Sequence, residues 1–168
     1  MIKTERLVLR RAVQSDLDAF HEIMTIPDVM RFWSCPPHAE ISQTQKFLDY
    51  LKDFDWAQRE EYVVEYQGKC VGKAGCWRRP ELGFILHPDV WGMGVAAEAS
   101  AAIIPRAFKK FSSEDYIIAD VDPRNKPSVA VLKKLGFSLH ESKKKDFLYG
   151  GVEWCDTDYY RLPRPVTL

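Results

Sequence analysis

The chain has 168 residues, of which 46% are hydrophobic and 12% aromatic. This is enough for one substantial core, because domains commonly run about 100 to 150 residues, and we expect a single domain over residues 1–168. Lysine plus arginine and aspartate plus glutamate both number 24, so the formal net charge is zero. No overall field therefore favours a nucleic-acid partner or an anionic membrane.

Cysteine and histidine spacing indicates neither a metal site nor a disulfide framework. The four cysteines form no C-x-x-C pair and the four histidines are scattered, whereas structural zinc sites need closely spaced ligands. The first six residues are charged where a signal peptide is apolar, and no apolar run approaches the roughly 18 residues of a membrane span. We expect a cytoplasmic protein with reduced thiols, no metal and no membrane partner.

The N-terminal segment predicts a strand followed by a helix. Residues 5–11 alternate between apolar and polar side chains, which is the period of a half-buried strand. Ser15 followed by Asp18 resembles a capping box, and apolar residues then recur at helical spacing. This helix is expected to end at Pro27.

A loop, a second helix and a hairpin are predicted next. Residues 29–38 contain two prolines and are expected to form a loop, and residues 41–51 carry an apolar stripe at helical spacing. Two runs rich in Val, Tyr and Cys lie between residues 61 and 77, and the glycine at position 68 suits the turn between them. Residues 81–87 are expected to add a third strand to this meander.

The second half of the chain alternates between helices and strands. A helix is predicted over residues 95–110, with a kink at Pro105, and a β-branched strand over residues 116–121. The next helix is marked at both ends, because Asn125 is a good N-cap and Gly136 can adopt the left-handed closing conformation.

Two strands are expected to close the chain, over residues 137–141 and 154–162. The lysines at positions 143–145 and the glycine pair at positions 150–151 lie between them. We interpret the lysine run as the solvated end of a hairpin.

The most informative stretch covers residues 86–99, where a strand passes through a glycine-spaced loop into an alanine-rich helix. Helix N-termini carry unpaired N–H groups and the positive end of the peptide dipoles, so small residues there allow a phosphate to approach closely. Gly92 and Gly94 are equally compatible with tight turning alone. A Rossmann loop fits poorly, because the third small residue falls at Ala96 or Ala97 and the loop lies in the middle of the chain.

The predicted order of elements resembles that of the GCN5-related N-acetyltransferases (GNAT), within the branch that includes the ribosomal-protein alanine acetyltransferases. Four segments carry the resemblance: T-E-R-L-V-L-R-R at 4–11, E-L-G-F at 81–84, H-P-D-V-W-G-M-G-V-A-A-E-A at 87–99 and N-K-P-S-V-A-V-L-K-K-L-G-F at 125–137. The resemblance implies an α+β fold, with a central, mostly antiparallel twisted sheet of about six to seven strands flanked by about four helices.

The resemblance also implies a reaction in which acetyl-CoA donates its acetyl group to a primary amine by direct attack in a ternary complex. The family's pyrophosphate loop corresponds to residues 92–97, and the pantetheine arm would lie beside residues 84–86. Trp91, Gly92 and Met93 stand where the family often has a basic pair, so backbone groups would meet most of the phosphate charge. The implied cofactor-binding residues are Phe84, Ile85, Leu86, Trp91, Gly92, Met93, Gly94, Val95, Ala96, Ala97, Asn125 and Ser128.

Glu81 is the first candidate for the general base, because it matches the glutamate of the family's E-I-G-Y-like segment. An alkyl ammonium group is protonated at pH 7 and must lose a proton before it attacks. A salt-bridged strand carboxylate is an equally good interpretation of Glu81. The weaker rivals are Glu65, Asp120 and Asp122.

Ser128 matches the serine of the branch's N-x-x-S segment and is the candidate hydrogen-bond donor to the leaving sulfur. Many family members use a tyrosine near this helix, and none occurs between residues 117 and 148. Capping of its own helix is the alternative role for Ser128. The oxyanion donor is expected to be a backbone N–H near Ile85 or Leu86, and Asn125 either contacts the cofactor or only caps its helix.

The acceptor is left open by the sequence. A protein N-terminus, a free amino acid, a polyamine and a small antibiotic amine present the same nucleophile, and fold analogy does not choose among them. His87 is more often a loop histidine than a base, and the tryptophans that could line an acceptor pocket are Trp33, Trp77, Trp91 and Trp154.

Two other functions compete with catalysis. A catalytically weak acyl-CoA-binding sensor would keep the loop without the chemistry, and an unrelated nucleotide-binding domain would use the same loop for another phosphate. The sequence leaves the oligomeric state open between a monomer and a homodimer.

Overall fold

A computed structural model describes residues 1–165, which contain an eight-stranded sheet. The strands are β1 (Ile2–Lys3), β2 (Leu7–Arg10), β3 (Glu60–Tyr66), β4 (Lys69–Arg78), β5 (Glu81–Leu86), β6 (Tyr116–Val121), β7 (Ser138–Tyr149) and β8 (Glu153–Pro163). Their order across the sheet is β1-β2-β3-β4-β5-β6-β8-β7. Neighbouring strands are antiparallel except for β5 and β6, which run parallel.

Five α-helices connect the strands. They are α1 (Leu17–Thr25), α2 (Pro27–Met30), α3 (Ile41–Lys52), α4 (Val95–Lys110) and α5 (Lys126–Lys134), with short 3₁₀ turns at Gln14–Asp16 and Pro88–Val90. No helix within residues 1–165 is both long and apolar enough to cross a membrane.

The helices cover the sheet from both sides, because side chains alternate between its two faces. Helices α4 and α5 pack on one face, where Ile103 and Leu132 meet buried residues of the strands. Helices α1, α2 and α3 pack on the other face, over β3, β4 and β5. The buried residues on that second face include Phe20, Ile23, Met30, Leu48, Val63 and Ile85.

The mixed α/β fold with a mostly antiparallel sheet is confirmed, with eight strands where six to seven were expected. The difference includes the two-residue strand β1, which pairs with β2 at the edge of the sheet. Five helices stand where about four were expected, because Pro27 begins the additional single-turn helix α2 at the end of α1.

The lysine run at positions 143–145 is not a hairpin end. It lies within β7, and the turn that joins β7 to β8 is formed by the glycine pair at positions 150–151. A register shift between Lys143 and Phe147, with Lys145 at φ +48°, absorbs the run. Charged side chains suit this position because β7 is an edge strand, whose unpaired backbone groups would otherwise attract another strand.

The start of the first helix also differs from expectation. A 3₁₀ turn precedes α1, and Asp16, not Ser15, closes it by accepting a 2.8 Å hydrogen bond from the Val13 N–H. Asp16 also pairs with Arg10 of β2 at 2.7 Å. Its carboxylate therefore ties β2 to the turn that begins α1, a contact that local spacing does not reveal.

Candidate active site

The candidate site is a cleft between the parallel strands β5 and β6. Within residues 1–165 they pair at Glu81 and Ile118 alone, and the strands part beyond that pair toward their carboxyl ends. Each strand then leads into a helix, β5 into α4 and β6 into α5. Carboxyl ends of neighbouring parallel strands, followed by helix N-termini, are where α/β sheets commonly bind ligands.

The open edge of β5 presents the backbone groups of alternate residues. Pro80 O accepts a hydrogen bond from Ile118 N of β6, whereas His87 N donates to Val71 O on the side of β4. Because successive residues of a strand point their backbone groups to opposite edges, Phe84 and Leu86 face the cleft.

Ile85 differs from the other two predicted pantetheine contacts. Its backbone groups face β4, and its side chain is only 4% exposed in the core. Of the two predicted oxyanion donors, Leu86 is therefore the one whose N–H is directed toward the cleft.

The glycine-spaced loop offers a run of amide groups without partners. Within residues 1–165, no hydrogen bond occupies the N–H of Gly92, Gly94, Val95, Ala96 or Ala97, and no side chain caps α4. Gly94 has φ +79°, a left-handed conformation that L side chains rarely adopt. A Cβ on Gly92 would meet nothing within 4 Å. The loop thus fits an anionic group such as a pyrophosphate.

The N-terminal segment holds this loop in place. Glu98 in the first turn of α4 accepts hydrogen bonds from Thr4 Oγ1 at 2.5 Å and from Arg6 Nε at 2.7 Å. Arg6 Nη1 also donates to Met93 O at 3.0 Å. Burial raises the pKa of Glu98, but the hydrogen bonds from Thr4 and Arg6 outweigh it and lower that pKa. The T-E-R-L segment at residues 4–7 contributed to the family resemblance, but the sequence did not indicate that Thr4 and Arg6 hold the loop.

Trp91 and Met93 lie at the mouth of the loop, with relative exposures of 48% and 41%. The indole Nε1 of Trp91 donates to Leu86 O at 2.8 Å. This bond links the start of the loop to the end of β5, so Trp91 both shapes the cleft and leaves apolar surface exposed beside it.

Helix α5 brings Asn125 and Ser128 to the other side of the cleft. The Asn125 side chain caps the helix by accepting from Ser128 N at 3.3 Å. The half-buried Ser128 hydroxyl has no hydrogen bond to any atom of the described part of the chain. The capping role therefore belongs to Asn125, and the Ser128 hydroxyl is left available.

Glu81 is the first residue of β5 and pairs with Ile118 of β6, on the face covered by α1 and α2. Its carboxylate is fully engaged, because Trp77 Nε1 donates to Oε1 at 2.8 Å and Arg78 Nε donates to Oε2 at 2.5 Å. The side chain is 10% exposed. These contacts agree with the alternative interpretation of Glu81 as a salt-bridged strand carboxylate. Both of its oxygens already accept hydrogen bonds from the protein.

Asp120 of β6 is a second carboxylate at the same place. Arg78 Nη2 lies 3.7 Å from its Oδ2, and Oδ1 is buried without a hydrogen-bond partner among residues 1–165. Burial and then the charge of Glu81 raise the pKa of Asp120 to about 6, while Arg78 only partly opposes them. Sequence reasoning named Asp120 only as a weaker rival, because no local pattern reports these contacts.

The other candidates for an acid or base are held in local contacts. Glu65 pairs with Arg10 at 2.7 Å and Asp122 with Arg124 at 2.7 Å. His87 Nδ1 accepts from Asp89 N at 3.2 Å and so caps the short turn after β5. Over residues 1–165, no three His, Cys, Asp or Glu side chains converge to hold a metal ion.

A groove of about 410 Å³ opens between α2 and the β7–β8 hairpin. It is lined by Pro27, Asp28, Arg31, Pro37, Arg124, Tyr149 and Glu153. None of the four tryptophans proposed for an acceptor pocket is among these residues. Trp33 packs instead against the core beside Met30, whereas Trp154 is 58% exposed.

Comparison with known proteins identifies the family. The protein-family model described as an acetyltransferase (GNAT) domain matches residues 6–138. The chain therefore belongs to the GNAT acetyltransferases and is an N-acetyltransferase. An uncharacterized N-acetyltransferase of Bacillus licheniformis is 29% identical over 143 residues, which cover 80% of each chain. The spermidine N(1)-acetyltransferase of Escherichia coli is 26% identical over 150 residues, covering 85% of this chain and 78% of that one.

Solved structures share the fold. A GNAT-family acetyltransferase from Bacillus anthracis has a TM-score of 0.82 at 28% identity, covering 96% of this chain and 97% of that one. Spermidine N-acetyltransferase from Vibrio cholerae, in complex with CoA and spermine, has a TM-score of 0.76 at 18% identity. The match covers 95% of this chain and 96% of that one. A ribosomal-protein α-N-acetyltransferase has a TM-score of 0.79 at 17% identity, and the match covers 96% of this chain and 92% of that one. The ribosomal-protein branch is therefore one of several neighbours of this fold.

Proposed function

We propose that the protein, as one domain over residues 1–168, transfers an acetyl group from acetyl-CoA to a primary amine by direct attack in a ternary complex. The observation that carries this proposal is the run of unpartnered N–H groups at residues 92 and 94–97, at the end of a strand that has parted from its neighbour. Fixed N–H groups at a helix N-terminus suit a pyrophosphate, and an open strand edge suits the amide groups of a pantetheine arm.

The pyrophosphate, the pantetheine arm and the thioester of acetyl-CoA each have a proposed partner. The pyrophosphate would lie on residues 92–97 and the pantetheine along Phe84 and Leu86, whose backbone groups face the cleft. The N–H of Leu86 would donate to the developing oxyanion. Ser128 would donate a hydrogen bond to the departing sulfur, since its hydroxyl has no protein partner in residues 1–165.

The amine proton would leave toward the carboxylates of Glu81 and Asp120. An acceptor ammonium must become a neutral amine before it can attack the thioester carbonyl. The two side chains lie on the same face of the sheet and share Arg78. Removing the charge of Glu81 is therefore expected to alter the pH dependence of turnover.

The acceptor would enter along the groove between α2 and the β7–β8 hairpin. Asp28 and Glu153 face Arg31 and Arg124 there, so the charges are balanced and do not select a polycation over a peptide. We propose a protein N-terminus or a small amine, and the relationship to spermidine N(1)-acetyltransferase makes spermidine the first small amine to test.

Ligand-dependent melting tests the cosubstrate. A ligand that binds only the native state at 100 times its Kd adds about 2.7 kcal/mol, which raises Tm by roughly 5–10 °C for a chain of this size. We expect this rise with acetyl-CoA and CoA but not with ATP or NAD. Thiol release with an amine panel then tests turnover. Binding without turnover for any acceptor would favour the acyl-CoA sensor.

Ser128→Ala should slow the acetyl-transfer step while leaving Tm nearly unchanged, because its hydroxyl would act mainly in the transition state. Asn125→Ala is the matched control for capping and should cost about 0.5–2 kcal/mol of stability. Single-turnover rates and melting curves on the same preparations measure both quantities. A destabilised Ser128→Ala variant with a normal transfer rate would assign the serine to the helix alone.

A further inference from the structure

We propose that Asp120 is the catalytic residue that accepts the proton of the acceptor ammonium, and that Glu81, Arg78 and Trp77 are positioning residues around it. The inference rests on the proposed acetyl transfer and assigns its base. It reverses the order indicated by the sequence, in which Glu81 comes first. The reasons are the position of Asp120, the occupancy of the two carboxylates and the charges that surround them.

Asp120 stands where the cleft begins. From the paired residues Glu81 and Ile118, two steps along each strand lead to Gly83 on β5 and Asp120 on β6. Gly83 has no side chain, and a Cβ there would lie 3.5 Å from the Trp77 ring. The Trp77 indole therefore lies over Gly83, near the fork of the strands, and both an indole and a carboxylate attract an ammonium ion.

The side chain of Asp120 points into the same space as that of Glu81. On β6, Ala119 and Val121 are buried against the α4 and α5 face, so Asp120 between them lies on the opposite face. Glu81 shares its face with Ile85, which packs against Ile23 under α1.

The two carboxylates differ in what their oxygens already accept. Both oxygens of Glu81 receive short hydrogen bonds from Trp77 and Arg78. Asp120 has only the 3.7 Å approach of Arg78 to Oδ2, and its Oδ1 is buried with no partner in residues 1–165. A buried oxygen without a donor is costly, so of the two carboxylates Asp120 is the one with unused capacity to take up a proton.

Charged and titratable groups face Asp120 from four strands. They are Arg78 of β4, Glu81 of β5, Lys143 and Asp146 of β7 and Tyr159 of β8. The Tyr159 hydroxyl donates to Asp146 and is therefore engaged elsewhere. The raised pKa of Asp120, about 6, lies close to the working pH at which a general base is most effective.

The step balances without any further reactant. The acceptor ammonium gives one proton to the Asp120 carboxylate, and the freed nitrogen lone pair forms a bond to the thioester carbonyl carbon. The C–S bond then breaks with its electron pair on sulfur. The second nitrogen proton passes to the CoA thiolate to give the thiol, and Asp120 returns its proton to solvent.

The test compares pH profiles of kcat/KM for the full chain with acetyl-CoA and its best amine. In the wild type, a rising limb near pH 6 is expected. The Asp120→Asn variant should lack this rising limb, and its turnover should be lower by about 10²- to 10⁴-fold. Glu81→Gln should keep the limb but move it to lower pH, because a like charge that raises the pKa of Asp120 is removed. Asp158→Asn, on β8 beside Tyr159, is the matched control and should match the wild type.

Stability separates chemistry from misfolding. The folded pKa of Asp120 is raised, so its ionised form costs stability above its unfolded pKa and in full above about pH 6. Asp120→Asn should therefore raise Tm relative to the wild type more at pH 8 than at pH 4. A folded Asp120→Asn variant with the wild-type profile would overturn the assignment, as would complete loss of the limb in Glu81→Gln. A wild type without turnover would instead refute the proposed acetyl transfer.

Discussion

Replacing Lys73 with methionine should lower the free energy of unfolding by about 3–5 kcal/mol. Lys73 and Glu61 form an ion pair between β4 and β3, and their residues are only 3% and 2% exposed. Lys73 Nζ also lies 5.4 Å from the centre of the Trp33 ring and 5.7 Å from that of Phe47. Methionine keeps most of this packing but leaves the Glu61 carboxylate buried without a counter-charge.

Urea denaturation at pH 7 measures this loss. Lys69→Met, at an exposed position of the same strand, is the matched control and should change stability by no more than about 0.5 kcal/mol.

The double variant Lys73→Met/Glu61→Gln distinguishes charge from packing. It should recover much of the lost stability, because the uncompensated charge is gone. An equal loss in the single and double variants would show that packing around Trp33, and not the ion pair, sets the effect. The Oε2 atom of Glu61 is already without a partner within residues 1–165, so further loss of contacts is poorly tolerated.

Gly94→Val should weaken acetyl-CoA binding by about 10²-fold, which corresponds to losing one or two hydrogen bonds to a charged group. Gly94 is left-handed at φ +79°, and a Cβ there would lie 3.6 Å from Arg6 Nη2. Valine therefore strains the backbone that aims the N–H groups of residues 95–97 and crowds the arginine that holds the loop.

Isothermal titration with acetyl-CoA measures this effect. Gly68→Val is the matched control, because Gly68 has φ +78°, no atom lies within 4 Å of its added Cβ, and it belongs to the β3–β4 turn. It should lose stability without losing affinity. If a folded Gly94→Val variant binds acetyl-CoA as tightly as the wild type, the loop does not hold the cosubstrate.

Elements whose causes are local could be predicted from the sequence. The last helix begins after Asn125, whose side chain caps it, and ends before Gly136 at φ +90°, as both residue types indicated. The glycine-spaced loop was identified by the same kind of argument, because helix starts and left-handed positions depend on neighbours within a few residues. The separation of β5 from β6 could not be predicted in this way, because it depends on residues far apart in the chain.

Long-range pairing decided what the sequence left open or misplaced. The lysine run became part of β7 because β8 supplies the ladder, which local turn signals do not encode. Likewise, Glu81 and Asp120 are 39 positions apart in the chain, yet they share Arg78 at the fork of two strands. The family resemblance marked Glu81 as the first candidate base, and Asp120 was a weaker rival. The pKa of Asp120 depends on burial and on charges from three other strands. Only the tertiary structure therefore distinguishes Glu81, with both oxygens hydrogen-bonded, from Asp120, whose Oδ1 has no partner in residues 1–165.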